Sequence, residues 1–115
     1  MIIPGGFSYG DYLRAGAIAR FSKVMDSIKN HADKGKAIIG ICNGFQILVE
    51  SALLPGALIT NNSTSFISKN INLKVVNNNS LFTTQYQKND KISMPIAHKQ
   101  GNYFADEFLL QELKD

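Results

Sequence analysis

An α/β domain is the fold class this sequence predicts, and three observations carry it. The short apolar run Ala37-Ile38-Ile39-Gly40-Ile41 flows directly into a helical pattern, with Phe45, Leu48, Val49 and Ala52 at helical spacing. Met1, Ile2 and Ile3 read as the tail of a second strand, stopped by the breaker cluster Pro4-Gly5-Gly6. Between the two, residues 15–34 place Ile18, Phe21, Val24, Met25, Ile28 and Ala32 at steps of three and four, which makes one apolar helix face. Strands that alternate with helices in this way belong to α/β architectures.

Taken in order, the first strand opens onto an irregular loop with three glycines, Gly5, Gly6 and Gly10. A glycine loop just after a strand's carboxyl end is where open α/β sheets bind ligands, and its N–H groups can cradle an anion. A plain connecting loop has the same composition. The helix over residues 15–34 sets Lys23, Lys29, Asn30 and Lys34 mostly opposite its apolar face, and Gly35 ends it. His31 falls in its last turn and reads as a surface residue beside the helix end. Residues 37–41 follow as a short buried strand, and residues 43–51 as a helix stopped by Leu54-Pro55-Gly56.

The second half alternates more than it repeats. Residues 57–60 read as a short strand and residues 61–65 as a polar loop. Residues 66–76, with Phe66, Ile71, Leu73, Val75 and Val76, read as a strand of an antiparallel element. Asn77-Asn78-Asn79 is a turn. Residues 91–97 form a further strand and Tyr103-Phe104 a brief pairing. Residues 105–113 form a short helix, with Phe108, Leu109 and Leu113 as its apolar side.

Composition bounds the function classes. One domain, residues 1–115, fits the length; 44% hydrophobic and 18% charged residues are ordinary for a soluble globular chain. No apolar run reaches membrane-span length, and no leader or anchor is read. A single cysteine excludes an internal disulfide and fits a reducing cytoplasmic compartment. The net charge of +3 comes from scattered lysines, so no nucleic-acid surface is read. No Cys/His spacing suggests a metal site.

That cysteine, Cys42, lies at the junction of strand and helix in Gly40-Ile41-Cys42-Asn43-Gly44. This is the cysteine form of the G-x-S-x-G elbow, in which a strained turn lifts a nucleophile out of the sheet. Glycine two residues to either side removes Cβ atoms that would clash. The helix that follows aims its N-terminus at the sulfur, an arrangement that favours negative charge. The Asn43 N–H is then free to face an oxyanion. The alternative is a buried cysteine at a strand end, the usual state of a lone thiol.

Two stretches, IPGGFSYGDYLRAG at residues 3–16 and GICNGFQIL at residues 40–48, closely resemble the class I, or triad, glutamine amidotransferases. More narrowly, they resemble the glutaminase subunit or domain of phosphoribosylformylglycinamidine synthase of purine biosynthesis. Leu54-Pro55-Gly56-Ala57-Leu58, residues 61–66 and Pro95-Ile96-Ala97-His98 share the likeness, which runs over nearly the whole chain.

The resemblance implies a flavodoxin-like fold, here expected to be incomplete at both ends, because the first strand–helix–strand of the family is missing from this sequence. It implies that Cys42 forms a γ-glutamyl thioester with glutamine. Gly6 and Phe7 match the loop that gives one oxyanion N–H, and Asn43 gives the other. Gln46 matches the elbow-helix glutamine close to the substrate. Asn61, Ser63 and Phe66 match the segment that holds the amino-acid end of glutamine, and residues 9–14 the surface near a synthetase partner. The module needs no cofactor of its own; ATP and Mg are expected on the synthetase.

One departure stands out. The family completes its cysteine with a His-x-Glu pair, and none exists here: Lys99 and Gln100 follow His98, and Glu107 and Glu112 have no neighbouring histidine. The chain is therefore expected to turn over glutamine slowly or not at all by itself. A non-catalytic amidotransferase-like binding domain and a PfpI-like cysteine hydrolase are the alternatives.

Overall fold

The computed structural model describes residues 1–114, which divide into two compact units. The first comprises Met1–Thr60 with the chain from Gln100 onward, the second Asn61–Lys99.

In the first unit, β1 (Ile2–Ile3) and β2 (Ile39–Gly40) pair in parallel, Ile2 opposite Ile39 and Ile3 opposite Gly40. The Ile41 N–H extends this pairing by donating to the Ile3 carbonyl at 2.9 Å. Parallel strands need a long crossover, and it carries α1 (Val24–Asp33). Met25 and Ile28 bury the inner face of α1. Gly35, at φ +66°, closes the helix by donating its N–H to the Ala32 carbonyl at 2.7 Å, a left-handed cap that glycine adopts without strain.

The helix expected over residues 15–34 is thus only half realised. Residues 19–21 form a single tight turn, and Ser22 is extended (φ −68°, ψ 145°), which interrupts the helix before Val24. Gly16 (φ +80°) cannot start a helix either. A Cβ there would come within 2.9 Å of the Ile47 nitrogen, so the chain at this point is shaped by close backbone packing rather than by helical hydrogen bonding. Phe21 and Val24, counted in the apolar face, are exposed.

After β2, α2 (Asn43–Glu50) buries Ile47, Leu48 and Val49. Ile3, Ala19, Met25, Ile28, Ile47 and Leu48 form the core, flanked by Ile38, Leu53 and Leu54. Loss of the Leu48 side chain from such a site costs about 2–5 kcal/mol. The run at residues 37–41 yields a two-residue strand that is half-buried rather than buried.

β3 (Ala57–Ile59) pairs antiparallel with the later segment Asn102–Phe104, Leu58 opposite Tyr103. The Tyr103 hydroxyl donates to the Pro55 carbonyl at 2.8 Å, and its ring lies 6.3 Å from that of Phe45. The last helix, Glu107–Glu112, is capped by Asp106, whose carboxylate accepts from the Leu109 N–H at 2.8 Å. Its expected apolar side is mostly exposed, with Leu109 alone half-buried among Phe108, Leu109 and Leu113.

The second unit is an antiparallel ribbon of β4 (Ile67–Lys74) and β5 (Lys91–His98), in register from Ile67 opposite His98 to Lys74 opposite Lys91. With β1–β2 and the pairing of β3 with Asn102–Phe104 (β6) in the first unit, the described residues hold three two-stranded sheets. Two-stranded ribbons give every strand an outward edge, which accommodates Pro95 inside β5.

Candidate active site

Cys42 sits between the end of β2 and the first residue of α2, with φ 53° and ψ −114°. A side chain in this region is strained by about 1–3 kcal/mol and persists only where its surroundings impose it. Two glycines impose it here. A Cβ on Gly40 would lie 2.7 Å from the Phe45 nitrogen, and one on Gly44 would lie 2.7 Å from the Ile3 carbonyl carbon. Both backbones therefore pack closer than any side chain allows, and the chain reverses direction at Cys42. The thiol is exposed.

The glycine loop after β1 lies against this thiol. A Cβ on Gly5 would stand 3.1 Å from the Cys42 Cβ and 3.8 Å from its Sγ. Gly6 has φ +146° and Phe7 is exposed. The N–H groups of Gly6, Phe7 and Asn43 donate to no acceptor among the described residues. Unpartnered backbone N–H groups are what acyl chemistry uses to hold a developing oxyanion.

Asn43 is 1% exposed, and its side chain joins the loop to the elbow. Its Oδ1 accepts from the Ser8 N–H at 3.2 Å. Its Nδ2 donates to Asp11 Oδ1 at 3.0 Å and to Gln46 Oε1 at 3.1 Å. Asp11 Oδ1 also accepts from the Gly16 N–H at 3.2 Å. Gln46 donates its Nε2 to the Gln100 carbonyl at 3.2 Å, and Gln100 Oε1 accepts from the Ala15 N–H at 2.7 Å. Gln46 is therefore engaged by both ends of its amide. The sequence reading counts Asp11 only within the partner-facing residues 9–14 and gives Gln100 no role, because partners 32 and 54 residues apart leave no spacing signal.

Asn61, Ser63 and Phe66 lie in the second unit. Asn61 is buried and closes the base of the ribbon. Its Nδ2 donates to the Ser65 and His98 carbonyls, each at 3.0 Å, and its Oδ1 meets His98 Nδ1 at 3.1 Å. Ser63 and Phe66 are exposed on the loop that Asn61 pins. Neither His31 nor His98 makes an ion pair with a carboxylate among the described residues. No helix there is long and apolar enough to cross a membrane.

Comparison with known proteins accords with this geometry. The model of the CobB/CobQ-like glutamine amidotransferase domain matches residues 1–115. Among solved structures, a chain of PurLQS from Thermotoga maritima is 52% identical, with a TM-score of 0.87 over 92% of this chain. The match covers 50% of that chain, so the present sequence spans about half its length. The fold is accordingly that of a class I glutamine amidotransferase, and the chain belongs to the CobB/CobQ-like glutamine amidotransferase family.

Proposed function

We propose that this chain carries the glutaminase nucleophile that supplies ammonia for the conversion of formylglycinamide ribonucleotide to formylglycinamidine ribonucleotide. The observation that carries the reading is the elbow itself: an exposed thiol on a positive-φ residue, with the Gly5 backbone against its sulfur. The 52% identity to a PurLQS chain and the residues 3–16 motif support this member of the family over a PfpI-like hydrolase.

In the proposed reaction Cys42 attacks the carboxamide carbon of glutamine. The S–C bond forms, the C–N bond breaks, and ammonia leaves. Water then cleaves the γ-glutamyl thioester to glutamate and restores the thiol. The Asn43 N–H and the Gly6–Phe7 loop hold the oxyanion. The place of Gln46 close to the substrate rests on the resemblance. The parts of Asn61, Ser63 and Phe66 in holding the amino-acid end of glutamine rest on the resemblance alone.

A synthetase subunit or domain is the proposed partner, in the cytoplasm. ATP and Mg belong to that partner and need no residue of this chain. Residues 9–14 are the proposed contact, supported by their exposure: Tyr12 is 72% and Leu13 90% exposed, unusual for large apolar side chains.

The test is labelling of Cys42 by a glutamine-mimicking diazoketone. The expected result is stoichiometric labelling that free glutamine blocks and Cys42→Ala abolishes. Labelling that glutamine leaves unchanged would sink the reading. The 115-residue chain by itself, without a His-x-Glu pair, is expected to label yet release glutamate at least about 100-fold more slowly than a glutaminase that has the pair.

A further inference from the structure

We propose that Asp11 is a positioning residue for the amidotransferase reaction: through the Asn43 side chain it fixes the glycine loop over Cys42 and so aligns the oxyanion N–H groups. The inference rests on the glutaminase reading above and adds a residue to it.

The geometry is a closed circuit. Asn43 follows the nucleophile directly, so its backbone moves with the elbow. Its amide spans from α2 to the loop, accepting from the Ser8 N–H and donating to Asp11. Asp11 is tied back to the Gly16 N–H, and Gly16 packs on the α2 backbone at Ile47. The amide cannot reverse, because its oxygen would then face the Asp11 carboxylate and the Gln46 oxygen. Asp11 and Gln46 together set which way Asn43 points, only that orientation leaves an acceptor for Ser8, and of the two Asp11 alone belongs to the loop.

Two observations separate this from ordinary scaffolding. The Asn43 side chain bonds no backbone group of its own helix; within α2 it meets the Gln46 side chain, and its other two bonds go to the loop, at Ser8 and Asp11. The segment it holds is strained: Tyr9, Asp11 and Leu13 have φ of 56°, 51° and 71°, in the left-handed region that non-glycine residues avoid. Strain repeated along one short loop relaxes unless it is tied down. The tie reaches Ser8, which follows Gly6 and Phe7, whose N–H groups donate to no acceptor among the described residues, in the loop whose Gly5 packs on Cys42. A misplacement of about 1 Å in such donors lowers turnover by about 100-fold.

The test compares Asp11→Ala with Asp11→Asn in the intact cellular protein with its partner present. Glutamate release is measured per site titrated by the diazoketone. Asp11→Ala is expected to lower kcat by about 10- to 100-fold with KM within about threefold. Asp11→Asn keeps an acceptor oxygen for both N–H donors and is expected to stay within about threefold of the parent. Alkylation of Cys42 by iodoacetamide, which needs no oxyanion donor, is expected to be unchanged in both. Should Asp11→Ala fail to fold, Asp11→Glu displaces the same carboxylate by one methylene and is expected to lower kcat without moving KM.

Unchanged kcat per titrated site, a change in KM alone, or equal impairment by the asparagine variant would each overturn the proposal. If the parent enzyme neither labels nor turns over, the glutaminase reading fails first and this inference falls with it.

Discussion

At Cys42 the side chain with the chemistry sits on a backbone that glycine would prefer. Its φ of 53° and ψ of −114° lie where a Cβ is penalised, and the neighbouring glycines leave it no room to relax. The nucleophile should therefore cost the protein stability. Cys42→Gly is expected to be more stable than Cys42→Ala by about 1–2 kcal/mol, since both remove the thiol and only the second keeps a Cβ. Urea denaturation with matched m-values measures the difference. Equal midpoints would mean that the elbow relaxes once the sulfur is gone. This strain was legible in the sequence, because Gly40 and Gly44 flank the cysteine at fixed spacing. The Asn43 side chain was not, because its partners Ser8 and Asp11 lie 35 and 32 residues away and are brought to it by tertiary packing.

The elements repeat that contrast. The elbow helix was legible because its apolar spacing and its burial agree: Leu48 and Val49 do go inward. Residues 15–34 had a comparable pattern, yet the helix starts only at Val24, because Gly16 must lie flat on α2 and Ser22 turns extended. Periodicity reports what a helix would bury, not whether another backbone needs the space. Near this break, Arg14 reaches α2 and meets Glu50 with two hydrogen bonds, Nε to Oε1 at 2.5 Å and Nη2 to Oε2 at 2.9 Å. The hydrogen bond and the charge of Glu50 raise the guanidinium pKa above its ordinary value. A cation raised in the fold stabilises at all pH below its ordinary range and loses that contribution only as pH rises through the raised value. Strongly alkaline conditions are needed for that, so salt is the usable probe. Arg14 is 54% exposed, which screens the pair. A double-mutant cycle with Arg14→Leu and Glu50→Gln is expected to give a coupling below about 1 kcal/mol that shrinks further between about 0.1 M and 1 M salt. A salt-independent coupling of several kcal/mol would show that the pair behaves as buried.

Over the whole molecule, apolar burial is unevenly shared. Ile3, Ala17, Ala19, Met25, Ile28, Ile47, Leu48 and Val49 are buried in the first unit, whereas Val75 is the buried apolar residue of the second. The order of strands and helices was legible from local patterns. The closing of the ribbon at its base was not, because Asn61 meets His98 37 residues later. That closure makes a prediction. With so little apolar burial, the second unit must lean on its ladder and on the polar clasp at its base, where Asn61 meets Ser65 and His98 and its N–H donates to the Lys99 carbonyl. At the far end, Val75 donates its N–H to the Asp90 carbonyl and accepts from the Asn89 N–H, backbone bonds that need no side chain. Asn61→Ala leaves two carbonyls and an imidazole nitrogen without their partner, which costs about 1–3 kcal/mol where they are shielded from water. The expected outcome in native-state hydrogen exchange is about 10-fold faster exchange or more near Ile67 and His98, with much less change near Lys74 and Lys91. Uniform acceleration along the ribbon would show instead that it opens as one piece, and unchanged rates at its base would show that the Asn61 clasp holds nothing together.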